Sequence, residues 1–265
     1  MSKMINLKVF NPYKAEGLKR IGNTDDGGYA VHFPSLQYVD CLMNYGVGYD
    51  IAFEKEFNKI TNKPVYAFDP TMKKLKFFIE KIKKGEYFNT FKQFIKLLLW
   101  LAKEKNLKKH NIHFIEEGLS AANTESFKSF HYHLSRYNLE DKKIFLKIDI
   151  EGAEFDIFSQ KKIYTNLNNV IQLIMEFHYA SENIEKISDI INNISKTHSL
   201  IHIHGNNIGG TFAYNGKQIP EVFEVTFLHN SFLTDKTLSA SNYPVEELDY
   251  PCNRRKEDIK LDFFR

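Results

Sequence analysis

Apolar side chains along this chain follow two alternating rhythms. Short, nearly unbroken apolar runs of the kind that form strands buried on both faces occur at Cys41 to Val47 (CLMNYGV), Pro64 to Pro70 (PVYAFDP), Ile112 to Ser120 (IHFIEEGLS), Lys143 to Ile150 (KIFLKIDI) and Val170 to His178 (VIQLIMEFH). Between them, apolar residues return every three or four positions, as on a helix that packs along one face. This spacing is seen in IAFEKEFNKI after Asp50, across residues 72–110, in part of 121–142, and from Ser181 to Thr197, where Ile184, Ile187, Ile190, Ile191 and Ile194 form one stripe. Strands alternating with helices predict an α/β sheet with helices on both faces. The alternation then breaks. Ser199 to His204 (SLIHIH) and Val222 to Leu228 (VFEVTFL) are separated by GNNIGGTFAYNGKQIPE, too short for a full crossover helix, so the spacing predicts an antiparallel pair. Ahead of the first run, Asp26, Gly27 and Gly28 in RIGNTDDGGY suit a hairpin turn. The two glycines would also let the backbone approach a ligand closely.

The residues that end each run carry the chemistry, because ligands of open α/β sheets bind beyond the carboxyl ends of the strands. The first run ends in Gly46 and Gly48 just before a helix, a turn that lets a ligand reach the backbone at a helix start. The second ends on Asp69, whose carboxylate suits the two hydroxyls of a ribose. The third turns at Gly118, with Leu119 and Ser120 available to an adenine face and edge. The fourth closes on Asp149, Glu151, Glu154 and Asp156 around Gly152. These acids serve either chemistry or the positive N-terminus of the next helix. The fifth ends on Glu176 and His178, an imidazole that titrates near physiological pH. His202 and His204 share one face of their strand, but a metal there would need a third ligand that the sequence does not identify. The loop 205–216 reads as a mobile rim for substrate. Tyr243, Tyr250, Phe263 and Phe264 are docking contacts in a polar tail, 235–265.

Composition narrows the field. At 265 residues, 43% hydrophobic and 14% aromatic, the chain suits one large α/β domain with a helical insertion at 72–110. A formal charge of +3, with no arginine-rich tract, argues against nucleic acid as the partner. The lysine-rich helical insertion either packs on the sheet or forms a homodimer contact. Cys41 and Cys252 offer neither a disulfide framework nor a zinc spacing, so a reducing, cytoplasmic location is the simplest expectation. The first residues lack a signal-peptide core, and no 18-residue apolar run predicts a transmembrane helix.

On LKIDIEGAEFDIF (146–158), NYGVGYDIAFEKEF (44–57), YAFDP (66–70), EGLS (117–120) and IMEFH (174–178), the chain resembles the class I S-adenosylmethionine-dependent methyltransferases and, within them, the FkbM family. The resemblance covers roughly residues 20–230. It implies a Rossmann-like seven-stranded sheet in the order 3-2-1-4-5-7-6 with strand seven antiparallel. It also implies S-adenosyl-L-methionine as cofactor and methyl transfer, usually to a hydroxyl oxygen. Bacterial relatives commonly act in surface-polysaccharide (capsule) biosynthesis, so a sugar or nucleotide-sugar acceptor is expected. Asn44 departs from the acid that many relatives carry before the glycine turn, so Asp25 or Asp26 is expected to supply the missing carboxylate.

The cofactor-binding set expected from these readings is Asp26, Gly28, Asn44, Tyr45, Gly46, Gly48, Asp69, Gly118, Leu119, Ser120 and Asp149. Asp149, Glu151 and His178 are the expected catalytic groups, with Glu151 or His178 orienting or deprotonating the acceptor. No metal ligands are assigned. A Mg²⁺-assisted variant using Asp149 and neighbouring acids would be separated by chelator sensitivity. Methylation of nitrogen or of a phosphorus-linked capsule group is a variant of the same reading. A nicotinamide-dependent oxidoreductase would want the same glycines and acid, but no GxGxxG follows the first strand. A non-catalytic protein that kept the fold would tolerate substitution at Asp69 and Asp149.

Overall fold

The computed structural model describes residues 5–48, 50–71 and 110–265; apart from His110, the insertion expected at 72–110, with its proposed dimer contact, lies outside the described residues. After a short 3-10 helix at Leu7–Phe10 comes an antiparallel hairpin, β1 (Leu18–Gly22) and β2 (Gly28–His32), closed through Gly22 and Gly28. Then come β3 (Cys41–Tyr45), α1 (Ala52–Thr61), β4 (Val65–Phe68) and β5 (Ile112–Ile115). A small parallel pair, β6 (Gly118–Leu119) and β7 (Phe127–Lys128), precedes α2 (Phe130–Arg136) and β8 (Ile144–Ile148). Two short helices, α3 (Glu154–Phe158) and α4 (Lys161–Asn166), lead to β9 (Val170–Phe177) and α5 (Ala180–Ile194). The chain continues through β10 (His198–Gly205), β11 (Thr211–Tyr214), β12 (Lys217–Pro220) and β13 (Phe223–His229).

Seven strands form the central sheet in the order β5-β4-β3-β8-β9-β13-β10. This is the expected 3-2-1-4-5-7-6 arrangement, and β13 pairs antiparallel with both neighbours. Every residue of β3, β8 and β9 is buried, which explains why these strands read as continuous apolar runs. One face of the sheet packs under α2, α3, α4 and α5. The isoleucine stripe of α5 (Ile184, Ile187, Ile191, Ile194) joins Leu146, Leu173 and Phe177 in that core. The other face packs under α1 and the β1–β2 hairpin through Phe53, Phe57, Tyr29 and Val31. Gln172 on β9 fastens that layer: its amide oxygen accepts from His32 N at 2.8 Å, and its amide nitrogen donates to His32 O at 2.9 Å and Ser35 Oγ at 2.8 Å.

The loop 205–216 contributes β11 to a second hairpin with β12. Asn215 and Gly216, both at positive φ (49° and 75°), make its turn, the Asn-Gly pairing that favours a type I′ hairpin. The tail is a packed strap. Phe263 and Phe264 are buried, Phe10 lies edge-on to Phe263 with ring centroids 5.4 Å apart, and Tyr243 pairs with Leu261.

Candidate functional site

The chain leaves β3 toward β4 and β5 on one side, then returns to lay β8 and β9 on the other. Such a reversal opens a crevice at the strands' carboxyl ends. A cavity of about 800 Å³ lies there. Its walls come from the hairpin (Asp26, Gly27, Tyr29), the glycine turn (Gly46, Val47, Gly48), the tip of β4 (Phe68, Asp69, Pro70), the β6–β7 region (Gly118, Leu119, Phe127), the end of β8 (Lys147, Asp149, Glu151) and Cys252 of the tail. Among the described lining residues, Asp25, Asp26, Asp50, Glu54, Asp69, Asp149 and Glu151 are set against a single lysine, Lys147.

The expected residues separate into those that line this cavity and those that do not. Asp26, Gly46, Gly48, Asp69, Gly118, Leu119, Asp149 and Glu151 line it; Gly28, Asn44, Tyr45, Ser120 and His178 do not. A Cβ on Gly28 would fall 2.0 Å from Asn23 O, so this glycine serves the hairpin. Asn44 is buried and its amide donates to Glu54. Tyr45 points to the opposite face of the sheet, where its hydroxyl meets His133 Nδ1 at 3.1 Å. The Ser120 hydroxyl donates to Ala122 O.

The two glycines of the turn differ in purpose. A Cβ on Gly46 would sit 1.5 Å from Asp149 O, so Gly46 (φ +82°) lets the end of β3 press against the turn after β8. A Cβ on Gly48 (φ +59°) would meet nothing within 4 Å, so that position opens into the cavity. Asp69 Oδ2 accepts from Gly48 N at 2.8 Å, and Oδ1 accepts from Thr71 N and Thr71 Oγ1 at 2.7 and 2.6 Å. A carboxylate offers about four lone-pair positions, so Asp69 both fixes the glycine turn and keeps limited capacity for a ligand.

Glu54, which sequence reading passed over as one acid on an amphipathic helix, is 2% exposed. Its Oε1 takes the Asn44 amide, while Oε2 is buried with no hydrogen-bond partner among the described residues. Burial pushes its pKa up to about 7 against the opposing pull of Lys147. Lys147, hidden in an apolar-looking strand, is 3.3 Å from Asp149 Oδ2 and 4.6 Å from the Tyr29 ring centroid. Burial alone would discharge it, but Asp149, Glu54 and Glu176 outweigh burial and raise its pKa.

Four acids surround His178. Its Nε2 lies 3.5 Å from Glu151 Oε2, 3.7 Å from Glu176 Oε1 and 3.8 Å from Asp149 Oδ1. Glu154, fully buried, accepts from Gly152 N at 2.8 Å and from His178 N at 2.9 Å, and lies 3.4 Å from His178 Nδ1. Burial lowers the imidazole's pKa, but Glu154, Glu176 and Asp149 together hold it at about 9. Two turn residues here are non-glycine at positive φ, Glu151 (56°) and Tyr179 (52°); such positions cluster at functional sites. Tyr179 is 55% exposed, and its ring lies where a Cβ on Gly152 would approach within 2.9 Å.

Farther along the sheet, Glu224 faces Glu176 across the β13–β9 pair and His204 across the β10–β13 pair. His202 and His204 do share a face, but each takes its own tail carboxylate. His202 Nε2 is 2.7 Å from Asp249 Oδ1, and His204 Nε2 is 3.0 Å from Asp258 Oδ2.

Residues 40–208, more than half of the chain, match the profile of the methyltransferase FkbM domain. No curated protein matches the sequence. Solved structures with a related outline include an rRNA methylase from Streptococcus thermophilus (15% identical, TM-score 0.39, 74% of this chain and 91% of that one). A precorrin-6y C5,15-methyltransferase from Geobacter metallireducens aligns at 12% identity and TM-score 0.38 over 74% and 85% of the two chains. A fibrillarin pre-rRNA processing protein from Methanococcus jannaschii aligns at 9% and 0.39 over 73% and 68%. With scores this low, these likenesses say nothing of substrate or mechanism.

Proposed function

The chain belongs to the FkbM methyltransferase family, and from that premise we propose that it moves a methyl group from S-adenosylmethionine to a hydroxyl oxygen of a sugar, in surface-polysaccharide biosynthesis. The observation that carries the cofactor reading is the charge of the cavity: seven carboxylates against one lysine among the described lining residues. That field favours a ligand with a sulfonium and an ammonium, and disfavours the pyrophosphate of a nicotinamide dinucleotide.

The residues fit the cofactor in parts. Glu54, with its unpartnered Oε2, and Asp26 are the carboxylates for the ammonium, so Glu54 takes the place that the Asn44 departure leaves open. Gly48 leaves room for the methionine segment. Asp69 faces the ribose, and Pro70, Leu119 and Phe127 offer an apolar slot for the adenine.

When bound, S-adenosylmethionine supplies a methyl group already activated by positive sulfur. The protein's share is alignment, exclusion of water and handling of the acceptor proton. Asp149 stands between the cofactor walls and the His178 cluster, and Glu151 stands at the rim with its side chain 81% exposed. The exposed ring of Tyr179 beside His178 suits the apolar face of a sugar. An acidic cavity favours an acceptor whose reacting end is neutral, with any nucleotide part held outside.

Calorimetric titration with S-adenosylmethionine, with NADH in parallel, tests the reading. Micromolar binding of the first alone is expected. Binding of NADH alone would replace it with an oxidoreductase, and binding of neither with a non-catalytic protein.

A further inference from the structure

Three ligand atoms, one each from Asp149, Glu151 and His178, lie within 4.8 Å of one another at the mouth of the cavity. A cluster of acids alone would be unremarkable on a protein surface. What sets this one apart is His178. Its side chain is only 9% exposed, and Nε2 points among three carboxylate oxygens at 3.5, 3.7 and 3.8 Å. Hydrogen bonds from nitrogen to oxygen are normally about 2.7–3.2 Å, so each of these separations is too long for one. Among the described residues Nδ1 is buried without a hydrogen bond of normal length, its nearest acceptor being Glu154 Oε1 at 3.4 Å. A more than nine-tenths buried imidazole therefore faces three carboxylates at ion-pair rather than hydrogen-bond distance, a spacing that leaves a gap between Nε2 and the oxygens.

That gap has the dimensions of a cation site. Ligand atoms bound tetrahedrally at about 2.0–2.2 Å from a metal lie roughly 3.4 Å apart, close to the spacings around Nε2. The surroundings fit as well. Glu154 lies 3.4 Å from Nδ1, behind the ring, on the side from which a carboxylate supports a metal-binding histidine, and a cation binding at Nε2 would displace the proton that the imidazole carries there. Glu176 adds a further oxygen on the sheet side, and Lys147 is the only cation lining the cavity among the described residues.

We propose that Asp149, Glu151 and His178, backed by Glu154 and Glu176, bind one first-row divalent cation. The mixed imidazole and carboxylate donors favour such a metal over Mg²⁺, which prefers oxygen ligands and retains its waters. At this position the cation would act as a Lewis acid that holds an acceptor oxygen beside the cavity and lowers its pKa. That use rests on the methyl-transfer reading; binding of the cation does not.

The test uses MnCl₂ on the full chain stripped with chelator, following free Mn²⁺ by electron paramagnetic resonance. Manganese has little affinity for thiols, so the separate His204, Glu224 and Cys252 group should compete weakly. One saturable site per chain is expected, weakened about 10–100-fold by Asp149→Asn and by His178→Gln. Glu151→Gln alters an exposed side chain, keeps the fold and should weaken binding measurably; Cys252→Ser should leave it unchanged. Circular dichroism of each variant in chelator checks folding. Absence of saturable binding up to about 1 mM, the weak end of biological cation sites, would overturn the proposal. So would wild-type affinity in folded Asp149→Asn and Glu151→Gln, or loss of binding in Cys252→Ser. Titration with S-adenosylmethionine in chelator separates the two ideas: cofactor binding without manganese binding removes the cation alone, and the reverse removes the methyl-transfer reading alone.

Discussion

Asp69 is tied to the glycine turn and His178 to the acidic turn, so their loss should divide binding from turnover. Asp69→Ala removes three hydrogen bonds that organise Gly48 and Thr71. Cofactor affinity should fall first, by about tenfold or more, measured by calorimetry; unchanged affinity would refute the ribose assignment. His178→Ala should lower kcat by about 10²–10⁴ with far less effect on cofactor affinity, and equal loss of both would end its acceptor-side role. Glu54 gives a second separation. Its pKa is raised from 4.5 to about 7, chiefly by burial. The folded state therefore holds a proton that the unfolded chain releases, and stability declines as pH rises between those values. Glu54→Gln should flatten that decline in denaturant melts and weaken cofactor binding about 10–100-fold. A variant that binds normally would return the ammonium to Asp26.

Among the elements, the outer strands are held to the tail by buried ion pairs as well as by apolar packing. His204 on β10 faces Glu224 on β13, and Asp249, Cys252 and Asp258 of the tail. Burial lowers its pKa, but Asp258 and Glu224 outweigh that and raise it from 6.5 to about 10. A raised histidine pKa stabilises fully below the unfolded value and loses that contribution as pH climbs through the folded value. Thermal melts should therefore show a loss of stability from about pH 6.5 toward 10, smaller in Asp258→Asn. An identical pH profile in that variant would remove the pair from this role. The strands and the long helix were readable because burial on both faces or along one stripe writes itself into local spacing. The tail strap and the polar row behind it were not, because Glu176, Glu224 and His204 meet only through strand pairing between distant segments. The β11–β12 hairpin did carry a local signal in Asn215-Gly216.

At the scale of the whole molecule, the cavity is assembled from the hairpin, the strand tips and the tail. Arg20 of β1 joins two of these, donating to Asn23 O at 2.6 Å and to Leu248 O at 3.1 Å. A ligand that touches all three parts should stabilise the fold as a unit. At a hundred times its dissociation constant, S-adenosylmethionine should add about 2.7 kcal/mol and raise Tm by several degrees in a single transition. A two-step melt in which only one step moves would mean that the parts unfold separately. Sequence alone supplied the strand tips of this site, Gly48, Asp69 and Asp149, since those follow from where apolar runs stop. Glu54 stayed hidden as one of several charges on an amphipathic helix, and Lys147 as a lone charge inside an apolar strand.

The facing of Glu176 and Glu224 also bears on how this sequence can change over generations. Two buried acids opposite one another in a sheet repel unless protons or cations intervene, and burial with Asp149 and Glu224 nearby raises the Glu176 pKa well above its ordinary value. Neutralising Glu224 would remove one of the charges that raise the Glu176 pKa, so neither residue is free to mutate alone. Across descendants of this chain the two positions should be inherited as a linked pair, with replacement of Glu176 accompanied by compensating change at Glu224 or His204, although these residues lie on separate strands.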